Sequence, residues 1–145
     1  MRELVVVGAK ARAKSGKISY KVTISTADVE NAGTKDNIRL SLIGESKTVD
    51  LLLRNPLPIK KADTKTFENL LAENIGVIKE VKIQLDNSRV KDKFYPTKLL
   101  ISGDGTQYSA AIDDWVSNAP TVVPLKLEAG LGQYIIVRMY RNFWI

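Results

Sequence analysis

The sequence predicts an all-β protein, an antiparallel β-sandwich of two sheets with about four strands each and extra strands near both termini. Apolar residues recur at every second position over several short segments, as expected for strands that bury one face. Clusters of Gly, Asn, Asp and Pro separate these segments at spacings typical of hairpins and loops. A length of 145 residues suits one domain with a sizeable core.

The first half of the chain contains three predicted strands. Residues 18–25 alternate between large apolar and polar side chains, which indicates a half-buried strand. Residues 26–36 are rich in turn formers and predict a loop. Two further strands are predicted at 38–44 and 48–54. The second of these ends before the Asn-Pro-Leu-Pro segment 55–58, because proline cannot donate to a sheet ladder.

The second half of the chain continues this pattern. Residues 81–86 alternate and predict a strand, and residues 98–112 predict a hairpin around the Gly-Asp-Gly-Thr turn at 103–106. Residues 121–127 and 133–140 flank a glycine-containing turn and predict a second hairpin. Helical periodicity is weak throughout, and its best candidate is the short segment 66–73.

The pattern divides the chain into three parts. Residues 1–17 are predicted to hold a short strand and a basic linker, residues 18–117 the sandwich, and residues 118–145 a C-terminal hairpin extension packed on the same domain. The outer strands are expected to extend a sheet edge or to contact another domain or a second copy. Bulky apolar residues at 143–145 are typical of an interface.

The residue types that the sequence lacks exclude many enzyme classes. Without cysteine or histidine there is no disulfide, no thiolate or imidazole metal site and no Ser-His-Asp triad. No pattern pairs a nucleophile with an activating base, so we expect no enzymatic activity. The 22 Lys and Arg residues exceed the 16 Asp and Glu residues, and the net charge of +6 favours anionic partners.

Nucleic acid and an acidic membrane are the two anionic partners to weigh. Basic and aromatic residues interleave over 138–144, as in a stacking platform for single strands, but the alternation of a terminal strand produces the same pattern. Nucleic acid therefore ranks last. No stretch approaches the roughly 20 apolar residues that span a bilayer, and the apolar run at 4–7 precedes the basic residues, unlike a secretory signal. We expect a cytoplasmic, peripheral membrane protein.

Several segments, in order, resemble the PLAT, or lipoxygenase-homology, domain family. They are Tyr20-Lys-Val-Thr-Ile-Ser-Thr26, Asn31-Ala-Gly-Thr-Lys-Asp-Asn37, Ile38-Arg-Leu-Ser-Leu-Ile-Gly44, Gly76-Val-Ile-Lys-Glu-Val-Lys-Ile-Gln-Leu-Asp86, Phe94-Tyr-Pro96 with Leu99-Leu-Ile101, and Tyr108 followed by Trp115. The resemblance implies an eight-stranded sandwich that is not itself catalytic and that carries a catalytic or channel part to lipid or to a partner protein. The place of Trp115 after the last family strand suggests a core ring that closes the sandwich.

Several members of that family bind calcium in loops at one end of the sandwich, so the resemblance implies a calcium site here. Lys35 departs from the family pattern, because it stands where an acidic residue is common and its charge would oppose a divalent ion. The alternative is ordinary turn chemistry, in which short polar side chains bond their own backbone. The resemblance implies Asn31, Gly33, Thr34 and Asp92 as ligands. The nearby carboxylates of Asp28 and Asp36 would compensate for Lys35, and they complete the candidate set.

Two loops combine apolar and basic residues and predict contact with lipid. Aromatic side chains can lie at headgroup depth, and each nearby Lys or Arg adds about 1 kcal/mol on an anionic leaflet. We expect one of the two aromatic residues in the second loop to lie in the core, because the family often buries an aromatic at that strand start. The candidate lipid-binding residues are Arg54, Leu57, Ile59, Lys60 and Lys61 in the first loop and Lys91, Lys93, Phe94 and Tyr95 in the second.

The sequence thus predicts a noncatalytic module that docks on anionic membrane surfaces through loops at one end of a sandwich, with calcium as a candidate cofactor. The alternative, from another functional class, is a protein-interaction or assembly domain. It would use a sheet edge and the C-terminal hairpin to bind a protein partner or a second copy.

Overall fold

The computed structural model describes residues 16–87 and 92–128, and it confirms the antiparallel β-sandwich. One sheet has five strands in the order β4-β1-β6-β7-β9, and the other has four in the order β3-β2-β5-β8. No helix is present in the described residues. Their strands are β1 Lys17–Thr26, β2 Ile38–Gly44, β3 Thr48–Leu53, β4 Thr64–Glu73, β5 Ile78–Leu85, β6 Pro96–Gly103, β7 Thr106–Ala111, β8 Thr121–Pro124 and β9 Lys126–Leu127.

The two sheets face each other through the apolar side of their strands. On β1, Tyr20, Val22 and Ile24 are buried while the residues between them are exposed or half-buried. Strand β5 alternates in the same way from Val81 onward, and β2 does so except at the buried Ser41. Burial of one such side chain contributes about 1.5–3 kcal/mol, so this inner layer supplies most of the stabilisation. The alternation that the sequence shows is therefore the direct cause of the sandwich.

Residues 64–73 form strand β4, so the candidate helix at 66–73 is wrong. The register of β4 against β1 shifts at a bulge, where two residues of β4 oppose one residue of β1. Asn69 occupies the bulge with a φ of 58°. The extra residue separates the inward-facing Phe67 and Leu70 by three positions instead of two, and this spacing imitates the period of a helix.

The two predicted hairpins have different outcomes. The first is confirmed, since β6 pairs with β7 and both Asp104 and Gly105 have positive φ, as a two-residue hairpin turn requires. The strand predicted at 121–127 is wrong as a single element, because β8 pairs with β5 and β9 pairs with β7 of the other sheet. The chain crosses between the sheets after Pro124. The predicted strands at 4–7 and 133–140 lie outside the described residues.

Four connections gather at one end of the sandwich, which we call the loop end. They comprise residues 27–37, residues 54–63, the described parts of 86–95, and residues 112–120. Main-chain hydrogen bonds join them directly. Ala27 donates to the Tyr95 carbonyl at 3.0 Å, Tyr95 donates to the Ala32 carbonyl at 2.9 Å, and Ala62 donates to the Ala27 carbonyl at 2.9 Å. The loops therefore form one connected surface.

Thr34 and Ile59 form a two-bond bridge between the 27–37 loop and the 54–63 loop. The Thr34 N–H donates to the Ile59 carbonyl at 2.9 Å, and the Ile59 N–H donates to the Thr34 carbonyl at 2.8 Å. Gly33 lies against the same backbone, where an added Cβ would stand 2.0 Å from the Ile59 oxygen. Only glycine allows this approach, because a side chain would push the two loops apart.

Gly33→Ala should therefore destabilise the domain by roughly 2 kcal/mol or more, because the new methyl group overlaps backbone that cannot rotate away. Gly76→Ala is the comparison, since nothing lies within 4 Å of its added Cβ and only its φ of +76° causes strain. That strain costs about 1 kcal/mol. Urea unfolding measures both variants, and equal losses would contradict the close approach at Gly33.

Tyr20 couples the inner layer to the edge strand and responds to alkaline pH. Its hydroxyl donates to the Glu73 carbonyl at 3.0 Å. Burial raises the pKa of Tyr20 above its ordinary value of 10.0. The folded state therefore holds this proton more tightly than the unfolded chain, and the stabilisation is complete below about pH 10 and is lost as the pH rises through the raised pKa.

Tyr20→Phe should lower the free energy of unfolding by about 1 kcal/mol at neutral pH, because the Glu73 carbonyl loses its donor. The difference between the wild type and the variant should shrink above about pH 10, since phenylalanine has no proton to lose. Urea unfolding at about pH 7 and about pH 11 measures both free energies. A difference that grows at alkaline pH would show that the hydroxyl is not held as described.

Candidate functional site

The loop end brings together four of the six residues that the sequence predicts as calcium ligands. They surround a surface cavity of about 240 Å³ between the 27–37 loop and residues 92 and 93. Two lysines line the same cavity and offset the charges of its two aspartates, so no net negative charge remains to attract a divalent cation. The lining residues are Gly33, Thr34, Lys35, Asp36, Asp92 and Lys93.

The two other predicted ligands lie apart from this cavity. Asn31 has a φ of 63° and lines an adjoining cavity of about 480 Å³ together with Lys35, Lys60 and Lys61. Asp28 is exposed earlier in the same loop. The predicted ligand set is therefore spread along the surface of the loop end.

Asp36 is bonded as a turn residue. Its backbone N–H donates to the Thr34 hydroxyl at 3.1 Å, and its carboxylate accepts a hydrogen bond from Asn87 at 2.6 Å. The described residues contain no group of three or more acidic side chains that could hold a metal ion. Calcium requires about six to eight oxygen ligands with several carboxylates among them. These residues do not fit a calcium site, and the turn chemistry of residues 34–36 accounts for Asp36.

The predicted lipid-binding residues divide between core and surface. Phe94 is fully buried and Ile59 is only 3% exposed, so the prediction that these two contact lipid is wrong. Each belongs to an isolated β-bridge that closes the loop end, Phe94 with Val116 and Ile59 with Thr34. Their side chains complete the core beneath the loops. Burial of Phe94 agrees with the expectation that one aromatic of the second loop lies inside.

The remaining predicted lipid-binding residues are at the surface. Leu57 is 73% exposed, the most exposed large apolar side chain among the described residues. Tyr95 is half-buried. Lys91 lies outside the described residues. The exposed cationic members of the set are Arg54, Lys60, Lys61 and Lys93.

Trp115 is not a core residue, contrary to the prediction. It is 39% exposed and packs edge-to-face against Tyr95, with ring centroids 5.0 Å apart. The Tyr95 hydroxyl donates to the Asp113 carbonyl at 3.1 Å. Partial burial, and then the negative charge of Asp113, raise the pKa of Tyr95. The two acidic residues before Trp115 were the sequence signal of a solvated turn at this position.

Val29 is a surface residue of the loop end that sequence reasoning missed. Its side chain is 44% exposed in the 27–37 loop. Val29 follows Asp28 and precedes Glu30, and an apolar residue between two acidic ones in a turn is a weak signal of exposure. Together, Val29, Leu57 and Trp115 give the loop end three exposed apolar side chains.

Comparison with known proteins agrees with this fold. The model of the PLAT/LH2 domain family matches residues 20–140. Lipoxygenase homology domain-containing protein 1 of Mus musculus is 28% identical over 86 residues, which is 57% of this chain and 4% of that protein. The Homo sapiens protein of the same name matches over the same shares. The chain thus spans only 4% of the length of these curated relatives.

Solved structures show the same sandwich at lower identity. The crystal structure of coral 8R-lipoxygenase superposes with a TM-score of 0.60 at 18% identity, over 74% of this chain and 17% of that chain. The alpha toxin of Clostridium absonum superposes with a TM-score of 0.61 at 21% identity, over 74% of this chain and 31% of the toxin. With the family match over most of its length, the chain belongs to the PLAT/LH2 domain family.

Proposed function

We propose that this domain is a noncatalytic module that docks on anionic membrane surfaces through its loop end. The observation that supports this most directly is the exposure of Leu57 in the 54–63 loop, which also carries the exposed Lys60 and Lys61. An apolar side chain among cations suits a membrane surface, because it can enter the headgroup region while the cations attract anionic lipid. Lys35 adds to the same cationic surface, since it lines a cavity with both lysines.

The distribution of charge over the loop end indicates which of its loops would face an anionic membrane. The exposed carboxylates of Asp113 and Asp114 adjoin Trp115, and they would repel an anionic surface. The 54–63 loop has one carboxylate, that of Asp63, which is exposed and accepts a hydrogen bond from the backbone N–H of Lys60 at 2.8 Å. Docking therefore begins at Leu57, with Lys93 and Tyr95 at the margin of the contact.

The comparisons support a role in targeting. One matching structure is described as showing calcium activation via a C2-like domain in coral 8R-lipoxygenase. In this chain the described donors do not fit calcium, so we propose docking by charge and apolar contact alone. The described residues include no helix of the length and apolarity that a membrane span needs. We propose a peripheral, cytoplasmic location, where anionic lipids are concentrated.

A protein-interaction role is the second candidate function. A groove of about 410 Å³ runs between the edge strands β3 and β4, and Leu71 on its rim is 70% exposed. The bulge at Asn69 disrupts the regular ladder of β4, and such bulges protect an edge against pairing with another strand. This groove therefore supports the second function less strongly than the loop end supports the first.

Leu57→Asp should weaken binding to vesicles of phosphatidylcholine with phosphatidylserine by about tenfold or more, because it removes the apolar contact and adds a repelled charge. Leu71→Asp is the matched control, since Leu71 is similarly exposed near the opposite end of the sandwich. Co-sedimentation in low salt measures both. Equal losses in the two variants, or no binding of the wild type at low salt, would contradict the proposal.

A further inference from the structure

A buried asparagine joins the two loops that form the proposed docking surface. Asn55 is only 6% exposed. Its side-chain amide donates to the carbonyls of Thr34 and Asp36, both at 3.1 Å. Its backbone N–H donates to the Asn37 side chain at 2.8 Å. One residue thus fixes the end of the 27–37 loop to the start of the 54–63 loop.

The ammonium of Lys65, on the edge strand β4, also bonds to Asn55 and to the 54–63 loop. Lys65 lies opposite Ile24 on the inward side of β4. Its Nζ donates to the Asn55 side-chain oxygen at 2.6 Å and to the Leu57 carbonyl at 2.8 Å. The same Nζ lies 5.4 Å from the centroid of the Phe67 ring. The ammonium therefore has two oxygen partners and an aromatic face.

The hydrogen bonds of the Lys65 ammonium fix the backbone around Leu57. Leu57 is held at its carbonyl by Lys65, and two residues later Ile59 is held by the bridge to Thr34. Pro56 and Pro58 restrict the backbone on either side of Leu57. The exposed leucine therefore projects from a backbone that is fixed before any membrane contact, and a preformed loop loses little entropy on binding.

We propose that Lys65 is a positioning residue for membrane docking, whose ammonium holds the Leu57 loop in its docking conformation and so makes docking independent of calcium. Carbonyl and amide oxygens are also the ligand types that calcium takes in protein loops. Here the chain supplies the cation itself. This inference rests on the proposed docking function, but the fixed loop is a property of the unbound domain and is measured separately.

Lys65→Met tests this role, because it keeps an unbranched apolar stem and removes the ammonium. Lys65→Arg retains a charged donor, and Lys21→Met is the charge-matched control on the exposed side of β1. Amide hydrogen exchange by NMR reads the Asn55 and Ile59 N–H groups, which are hydrogen-bonded in the unbound domain. Exchange there should rise at least about tenfold in Lys65→Met and stay near the wild-type rate in Lys65→Arg and Lys21→Met.

Vesicle binding is then measured in chelator and in about 1 mM calcium. The wild type should bind equally in both, and Lys65→Met should bind about fivefold more weakly than Lys21→Met. Unchanged exchange in Lys65→Met, or wild-type binding that requires calcium, would overturn the inference. If the wild type binds no vesicles, the docking function fails, while the exchange data still decide whether Lys65 fixes the loop. If Lys65→Met does not fold, Lys65→Gln, which removes the charge and keeps a polar end, replaces it in both measurements.

Discussion

The exchange of two main-chain hydrogen bonds between Thr34 and Ile59 is the contact on which the loop end depends. It joins loops that follow strands of different sheets, and it forms only because Gly33 lets the two backbones approach. Beneath it, the buried side chain of Ile59 extends the core to the tip of the sandwich. Above it, Leu57 remains exposed. The bridge thus holds Ile59 in the core, where it stabilises the fold, and leaves Leu57 at the surface.

Most of the fold could be predicted from the sequence, because alternation reports directly which face of a strand is buried. The strand at 38–44 and the hairpin turn at Asp104-Gly105 have the positions that the pattern indicated. The errors arise where the period is interrupted. At Asn69 a bulge changes the spacing to three, and at Pro124 the chain leaves one sheet for the other. Local periodicity does not identify either event, because the bulge gives the spacing of a helix and the change of sheet depends on pairing with distant strands.

The candidate site was less predictable, because exposure in loops depends on tertiary contacts. Ile59 and Leu57 are similar side chains two residues apart in one proline-rich loop, yet only Ile59 is buried. The resemblance to the PLAT family gave the order of residues at the loop end, but it did not show that Trp115 faces solvent. The network of Asn55 and Lys65 could not be predicted either, because its partners are separated by as many as 21 residues in sequence.

Membership of the PLAT/LH2 family and the geometry of the loop end lead to one functional account, in which a rigid sandwich presents a preformed apolar tip among cations. Because the chain has no cysteine, one environment-sensitive fluorophore can be attached at Leu57→Cys or at Val77→Cys. These positions are 73% and 66% exposed at opposite ends of the sandwich. With anionic vesicles, we expect the emission maximum of the fluorophore at Leu57→Cys to shift to the blue and that of the fluorophore at Val77→Cys to stay unchanged. Equal shifts at both positions, or a shift at Val77→Cys alone, would contradict it.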